Sequence, residues 1–445
     1  MSISTLYADH IHQLQNRYEQ LLDSQGYDGL LIHSGCGKNY YLDDNHLPFK
    51  SNPQLQLWLP LSQHPQSSLL IRPAQKPTLF YYNPTDFWYK AAGAPEGFWT
   101  EHFEIVEISH GESCKAFLNG IKNLAFIGEE EALAASWGLK NINPQPLVAA
   151  LHWHRAIKSE YEIDCLRQAN QIAARGHRAA QESFDQGGSE FDIQMAYLAA
   201  TSQRENQLPY GNIVALNQNA AVLHYQLYEL SSPQHRHSFL IDAGATCNGY
   251  AADITRTYGS AGGAKSAEAE LFAELIGALD AAQLALVEEI SVGQSFVDLH
   301  QRMCLRIASL LQQFGLVEAT AEAQLEQGIL RAFFPHGLGH LLGLQVHDMG
   351  GLQSDAQGTP APAPENHPFL RLTRELEEGM VFTIEPGIYL IDSLLAELKG
   401  RDASKSVNWD LVDRLRPFGG IRIEDNILLS GTGCENFTRD AFARA

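Results

Sequence analysis

The stretch FFPHGLGHLLGLQVHD, residues 333–348, sets His336, His340, His347 and Asp348 among apolar residues and glycines. Imidazoles at this density serve as metal ligands, as acid–base groups, or as buried spacers in a glycine-rich turn. His336 and His340 have the spacing of the H-E-x-x-H zinc peptidases. Gly337 stands where that motif needs its glutamate, and Gly337, Gly339 and Gly343 are poor helix formers. The zincin arrangement is therefore excluded. A glycine-rich strand or turn that brings imidazoles close to other backbone accounts better for the pattern.

Acids that could meet these histidines lie elsewhere. LIDAGATCNGYAADITRTY reads as two β-runs joined by a hairpin turn. With Cys247 and Asn248 at the turn, Asp242 stands directly opposite Asp253, and both project from one face. Two such carboxylates repel unless a cation lies between them; an ordinary aspartate pair is the alternative. Glu385 in VFTIEPG and Glu424 in GGIRIEDN sit inside apolar β-runs, where a carboxylate needs a partner. Arg422 lies on the same strand face as Glu424, so a structural Arg422–Glu424 pair competes with a ligand role. GSAGGAKS, residues 259–266, nearly matches the phosphate-binding loop. Ala264 replaces its second glycine, and the adjacent strands form a hairpin rather than a βαβ unit, so nucleotide binding is not expected.

These residues need a scaffold, and the chain reads as α/β (α+β) in two domains. Residues 1–156 open with an amphipathic helix and continue through β-runs GLLIHS, LQLWLP, SSLLIR, TLFYY and LAFIG, then helical EEALAASWG. Ser159 and Glu162 form a capping box, followed at helical spacing by Cys165, Leu166, Ala169, Ile172 and Ala173. Residues 157–445 alternate helical stretches, roughly 188–202, 266–290, 295–313 and 321–334, with β-runs SFLIDAG, YAADITRTY, MVFTIEPGIYL and GGIRIEDNILL. GTPAPAPENHP, residues 358–368, reads as a surface loop.

Composition narrows the function further. A net charge of −21 over 445 residues disfavours nonspecific binding to nucleic acid or anionic membrane. Six scattered cysteines without a C-x-x-C pair argue against a disulfide framework or a thiolate zinc site. The N-terminal stretch lacks the basic and apolar regions of a signal peptide. LFAELIGALDAAQLALV is broken by Glu274 and Asp280 and cannot span a bilayer. A soluble cytoplasmic protein is expected.

In chain order, Asp242 and Asp253, His340 in HGLGH, Glu385 in TIEPG and Glu424 in GGIRIED resemble the ligand series of the pita-bread metallopeptidases. That family includes methionine aminopeptidase, aminopeptidase P, prolidase and creatinase. LDDNHLPFKSNPQ, PYGNIVALNQNAAVLHYQ and PFGGIRIEDN are similar to its bacterial Xaa-Pro dipeptidases (prolidases), among them the organophosphorus acid anhydrolases.

The resemblance implies an N-terminal α/β domain for dimerisation and substrate access, followed by a pita-bread catalytic domain. It implies two divalent ions, with Asp253 and Glu424 bridging them, Asp242 completing one, and His340 with Glu385 completing the other. Four carboxylates and an imidazole suit Mn²⁺ better than a thiolate-type zinc site does. By the same resemblance His336 and His347 face the substrate, with His224 near it and Tyr210 lining the pocket. Arg371 receives a dipeptide carboxylate, Arg422 holds a ligand carboxylate, and Asp44 reaches the substrate amine across a homodimer. Glu385 is the proton carrier, and His224 and His347 the oxyanion donors. Phe296 stands where some relatives have tyrosine, and the segment 260–269 is longer than its counterpart. An aminopeptidase P- or creatinase-like hydrolase and a metal-free binding protein on the same fold are the competing readings, and side hydrolysis of organophosphorus esters is a further implied activity.

Overall fold

In a computed structural model, which describes residues 2–259 and 266–445, the apolar runs pair into sheets within two compact units. One comprises residues 1–155, 159–164 and 355–359, the other residues 156–158, 165–354 and 360–445. Most of the phosphate-loop-like stretch, and of the segment 260–269, lies outside the described residues.

The first unit is built on a six-stranded mixed sheet of β1 (Gly29–His33), β2 (Ser68–Ile71), β3 (Thr78–Tyr82), β4 (Glu104–Ile108), β5 (Leu124–Ile127) and β6 (Asn141–Ile142). Their spatial order is β4-β3-β2-β1-β5-β6. Ser2 caps the helix Ile3–Gln25, whose buried face carries Tyr7, Ile11, Leu14, Tyr18 and Leu22 at helical spacing. LQLWLP, expected as a strand, is not one. Asn52 accepts from the Gln54 amide and Pro53 takes the first helical position, so Pro53–Gln56 winds into a short helix instead. Alternating leucines misled because Leu55, Trp58 and Leu59 are all fully buried.

In the second unit β7 (Ile213–Leu216), β8 (Ser238–Asp242), β9 (Thr246–Cys247), β10 (Tyr250–Ala251) and β11 (Thr255–Gly259) precede the long helices Ala267–Val287 and Phe296–Gln313. The strands β12 (Val381–Ile384), β13 (Gly387–Tyr389), β14 (Gly420–Arg422), β15 (Asp425–Ser430) and β16 (Gly433–Asn436) follow them. They form small antiparallel sheets, β11-β8-β7, β12-β15-β16, β13-β14 and β9-β10, backed by an apolar core drawn from both helices and the strands. The helix expected over 321–334 stops at Glu326, where Gly328 (φ 65°) turns the chain into one 3₁₀ turn, Leu330–Ala332.

The hairpin register differs from expectation. Cys247 pairs with Tyr250, and Asp242 pairs with Thr255 rather than with Asp253. Asn248 (φ 51°) and Gly249 (φ 91°) are the turn residues, both with positive φ, as a two-residue type I′ connection requires. The Asn-Gly dipeptide thus moves the turn one residue along and the pairing by two. A two-residue shift preserves strand parity, so Asp253 stays on the same face as Asp242.

No helix among the described residues is long and apolar enough to cross a membrane.

Candidate metal centre

The glycine-rich stretch lies as an extended segment against β12. Leu342 donates to Val381, Thr383 to His340 and Glu385 to Leu338 through main-chain bonds. Gly339 makes this approach possible, since a Cβ there would fall 2.0 Å from the Thr383 carbonyl oxygen. His340 is thereby delivered to the middle of the acids. Its Nδ1 lies 3.1 Å from the Leu341 carbonyl, which fixes the proton on that nitrogen. Its Nε2 then faces Asp253 at 3.5 Å, Glu385 at 3.6 Å and Glu424 at 3.9 Å. Donor atoms of Asp253, His340 and Glu424 all lie within 4.8 Å of one another, and all three residues are buried.

Asp242 joins this group through Tyr210, whose hydroxyl is 2.6 Å from Oδ1 of both Asp242 and Asp253. One hydroxyl proton serves one carboxylate at a time. The remaining close contact is relieved when the other carboxyl carries a proton or when a cation draws the oxygens together. Glu424 sits between β14 and β15, accepts from Thr255 Oγ1 at 2.8 Å, and pairs through its backbone with Thr255. Asp253 is held by Asn426, whose side-chain oxygen accepts from the Asp253 amide at 3.0 Å.

Charge settles unevenly over the cluster. Burial pushes Asp242 up to about 6 against the opposing pull of Arg422. Burial likewise lifts Glu385 to about 7, opposed by the charge of His340 and aided by Asp253. Glu424 is driven well above the carboxylate range by burial and by repulsion from Asp253, Glu385 and Asp242. Asp253 goes the other way. Burial works to raise it, but the hydrogen bond and charge of His340 prevail and hold it below the ordinary value. With respect to its own groups the cluster therefore carries more acid than it can ionise, as a cation site does. Four carboxylates and one imidazole nitrogen are the donors of a borderline-hard divalent ion, and the residues fit such an ion.

Arg422 does not pair directly with Glu424. Its Nη2 donates to Asp242 at 2.6 Å, its Nε to Thr255 at 3.1 Å and its Nη1 to the Tyr389 hydroxyl at 3.0 Å. The Tyr389 hydroxyl in turn donates to His336 Nε2 at 2.8 Å, and His336 Nδ1 donates to the Gly337 carbonyl at 2.8 Å. Both nitrogens of His336 are thus engaged within the protein, and burial, with Arg422 nearby, pushes that imidazole down to about 3. Sequence reasoning did not single out Tyr389. A buried tyrosine hydroxyl needs a partner, and that was the available signal.

Around this buried floor stand more exposed groups. His347 is exposed as a residue, but its ring packs edge-on against the His340 ring with centroids 4.4 Å apart. The desolvation of that packed ring, with the charges of His340, Arg371 and His224, pushes it down to about 4. Arg371 and His224 are exposed and lie near enough for their charges to act on His347; Tyr210 is half-buried. Next to His347, Asp348 forms a wholly buried ion pair with Lys158 at 2.9 Å. His224 rides on a segment braced by buried Glu190, which accepts from Leu216 N (2.8 Å), Asn219 Nδ2 (2.9 Å), Tyr225 OH (2.7 Å) and Glu229 N (2.8 Å). Neither Glu190 nor the Lys158–Asp348 pair was singled out from sequence. Phe296 is fully buried at the start of its helix, against Phe382. Asp44 lies exposed in the first unit, between β1 and the helix Pro53–Gln56.

A buried carboxylate–imidazole cluster on small antiparallel sheets is what a cation-dependent hydrolase presents, and the sequence places it more closely. Residues 164–430 match Metallopeptidase family M24, and residues 5–153 match the N-terminal domain of Xaa-Pro dipeptidase. The chain belongs to metallopeptidase family M24. It is 49% identical over 440 residues to the Xaa-Pro dipeptidase of Shewanella amazonensis, covering 99% of both chains. It is 48% identical to that of Pseudoalteromonas translucida, covering 98% of both. Among solved structures, Pseudomonas aeruginosa aminopeptidase PepP superposes with a TM-score of 0.75 at 20% identity, covering 100% of this chain and 98% of that one. Zn-substituted Escherichia coli aminopeptidase P in complex with product gives 0.72 at 24%, covering 96% and 95%. At that identity the likeness establishes the fold: a pita-bread M24 domain following an α/β domain.

Proposed function

We infer that this chain is an Xaa-Pro dipeptidase, and the observation that carries the reading is the 49% identity across 99% of both chains to a protein of that activity. The convergence of His340 Nε2 with Asp253, Glu385 and Glu424 supports it independently. Two divalent ions, best Mn²⁺, would be held by Asp242, Asp253, His340, Glu385 and Glu424, and would supply polarisation of the scissile carbonyl and activation of water. Asp253 and Glu424 are the shared ligands in this reading.

The protein's own groups then have separable tasks. Glu385 takes a proton from the attacking water and hands it to the departing proline nitrogen. His347 and His224 donate hydrogen bonds to the oxygen that becomes negative. Arg371 receives the free carboxylate of the dipeptide through a charge-assisted bond. Arg422 keeps Asp242 ionised and in place, while Tyr210 and His336 shape the pocket wall. An Xaa-Pro bond has no N–H, so recognition must come from the two ends of the substrate.

The amine end is assigned to Asp44 of a partner protomer, with residues 1–156 serving dimerisation and substrate access. The exposed side chains Tyr41 and Leu42 beside it, and Phe87 and Trp88 next to Tyr89, which bonds His46, support an assembly that covers them. A panel of Xaa-Pro, Xaa-Pro-amide, Xaa-Pro-Xaa and an organophosphorus ester, run with Mn²⁺ and other divalent ions, tests the reading. Preference for the tripeptide over the dipeptide would replace it with an aminopeptidase P-like one.

A further inference from the structure

The helix Phe296–Gln313 carries His300 and Cys304 four residues apart, so both leave one face. Both are buried. His367, from the Pro-rich loop, meets them there. Its Nδ1 lies 2.9 Å from His300 Nε2, and Cys304 Sγ lies 3.5 Å from the same nitrogen. One donor atom from each of the three residues falls within 4.8 Å of the others. No step of peptide hydrolysis described above calls on them.

Bound to tetrahedral Zn²⁺ at about 2.0–2.1 Å for nitrogen and 2.3 Å for sulfur, such donors stand roughly 3.3 Å (N···N) and 3.6 Å (N···S) apart. The Cys304–His300 separation already suits that geometry. His367 needs to withdraw by roughly 0.4 Å from a distance that is now that of a hydrogen bond between two imidazoles. It can do so, being only partly buried. We propose that His300, Cys304 and His367 form a further metal site, for a borderline-soft divalent ion of the zinc type, with a fourth position left to water.

Ligation replaces the Cys304 S–H bond by an S–metal bond and releases that proton to solvent. A small cleft lined by Arg331, His336 and Asn366 opens beside His367. Among the described residues His300 Nδ1 has no hydrogen-bond partner. Ligating histidines ordinarily donate from their second nitrogen, and losing that outer bond weakens binding by about 10–100-fold. The site is therefore one that fills and empties with metal supply, and when filled it ties the loop that leads to Arg371 onto the helix.

The Mn²⁺-loaded full chain, titrated with Co²⁺, tests this. The M24 centre offers only oxygen and nitrogen donors, so a sulfur-to-cobalt charge-transfer band in the near ultraviolet reports a thiolate ligand alone. The band should saturate near one equivalent per chain, be displaced by Zn²⁺, and disappear in Cys304→Ala. In His367→Ala, a substitution on a partly buried loop, the apparent Kd should rise at least about tenfold, the cost of a lost contribution to binding. Absence of the band in the unmodified chain overturns the proposal, as does a band that persists unchanged in His367→Ala. That second variant decides the matter even where Cys304→Ala does not fold.

Discussion

The M24 centre has a floor and a rim, and they are built differently. The floor, Asp253, His340 and Glu424 with Asp242 beside them, is buried and hangs on strands or on segments paired to strands. The rim, His224, His347 and Arg371, is exposed and carried by loops. Only the floor excludes water well enough to lift one carboxyl far above its normal value while holding its neighbour below. In the proposed reading these exposed groups select the substrate, so protonation is controlled by burial and selection by reach.

The sharpest way to break this contrast is Asp253→Asn. It removes a charge from the floor at the residue His340 faces most closely, and kcat should fall on the order of 10³-fold or more with little change in the far-ultraviolet spectrum. A loss confined to KM would place Asp253 on the rim instead.

Lys158→Met tests whether the rim rests on buried charge. Breaking a wholly buried pair costs about 3–5 kcal/mol, read as a shift of the urea midpoint, with activity lost in step because His347 is chain neighbour to Asp348. A shift of less than about 1 kcal/mol would mean that the pair is dispensable.

The next test uses protons. Glu385 at about 7 and Asp242 at about 6 are raised in the folded chain. In chelated protein their contribution to stability is present below the unfolded values and is lost as pH rises through those numbers, with Glu424 continuing the loss higher up. Metal binding requires the ionised forms, so the gap in Tm between Mn²⁺-loaded and chelated protein should widen steadily from pH 5.5 to 8. His33, whose imidazole is pushed down by burial alone, acts alike in both preparations and cancels. A gap that narrows with pH would show that the floor is not the metal site.

The gentlest perturbation is Arg371→Ala. It should raise KM for Xaa-Pro by about 10–100-fold, the worth of a charge-assisted hydrogen bond, and leave amidated Xaa-Pro and Tm nearly unchanged. Equal effects on both substrates would remove this arginine from carboxylate recognition.

Much of the metal cluster was legible because its residue types are improbable where they stand: Glu385 and Glu424 within apolar runs, where the structure sets them just between paired strands, and Asp242 and Asp253 flanking one hairpin. The register was legible only to parity. Choosing Cys247–Asn248 over Asn248–Gly249 as the turn left the correct face and the wrong partner, because strand alternation records faces and turn chemistry records pairing. Local pattern could not reveal what depends on distant chain. Arg422, adjacent to Glu424 in sequence, bonds Asp242 and Tyr389 instead, and Glu190 braces four donors that no periodicity connects to it. LQLWLP failed for the opposite reason. With Leu55 through Leu59 all buried, alternation carries no information about period.

The bond from Arg422 to Asp242 closes a loop of 180 residues. Domains of a nascent chain generally fold in the order in which they leave the ribosome, at about 5–20 residues per second. Both units can begin to gather early, but Asp242 waits for its guanidinium, and Thr255 and Asp253 wait for Glu424 and Asn426, until β14 and β15 have been made. A stalled or truncated product that lacks β14 and β15 therefore lacks Glu424 and the partner of Asp242, and cannot assemble the metal cluster.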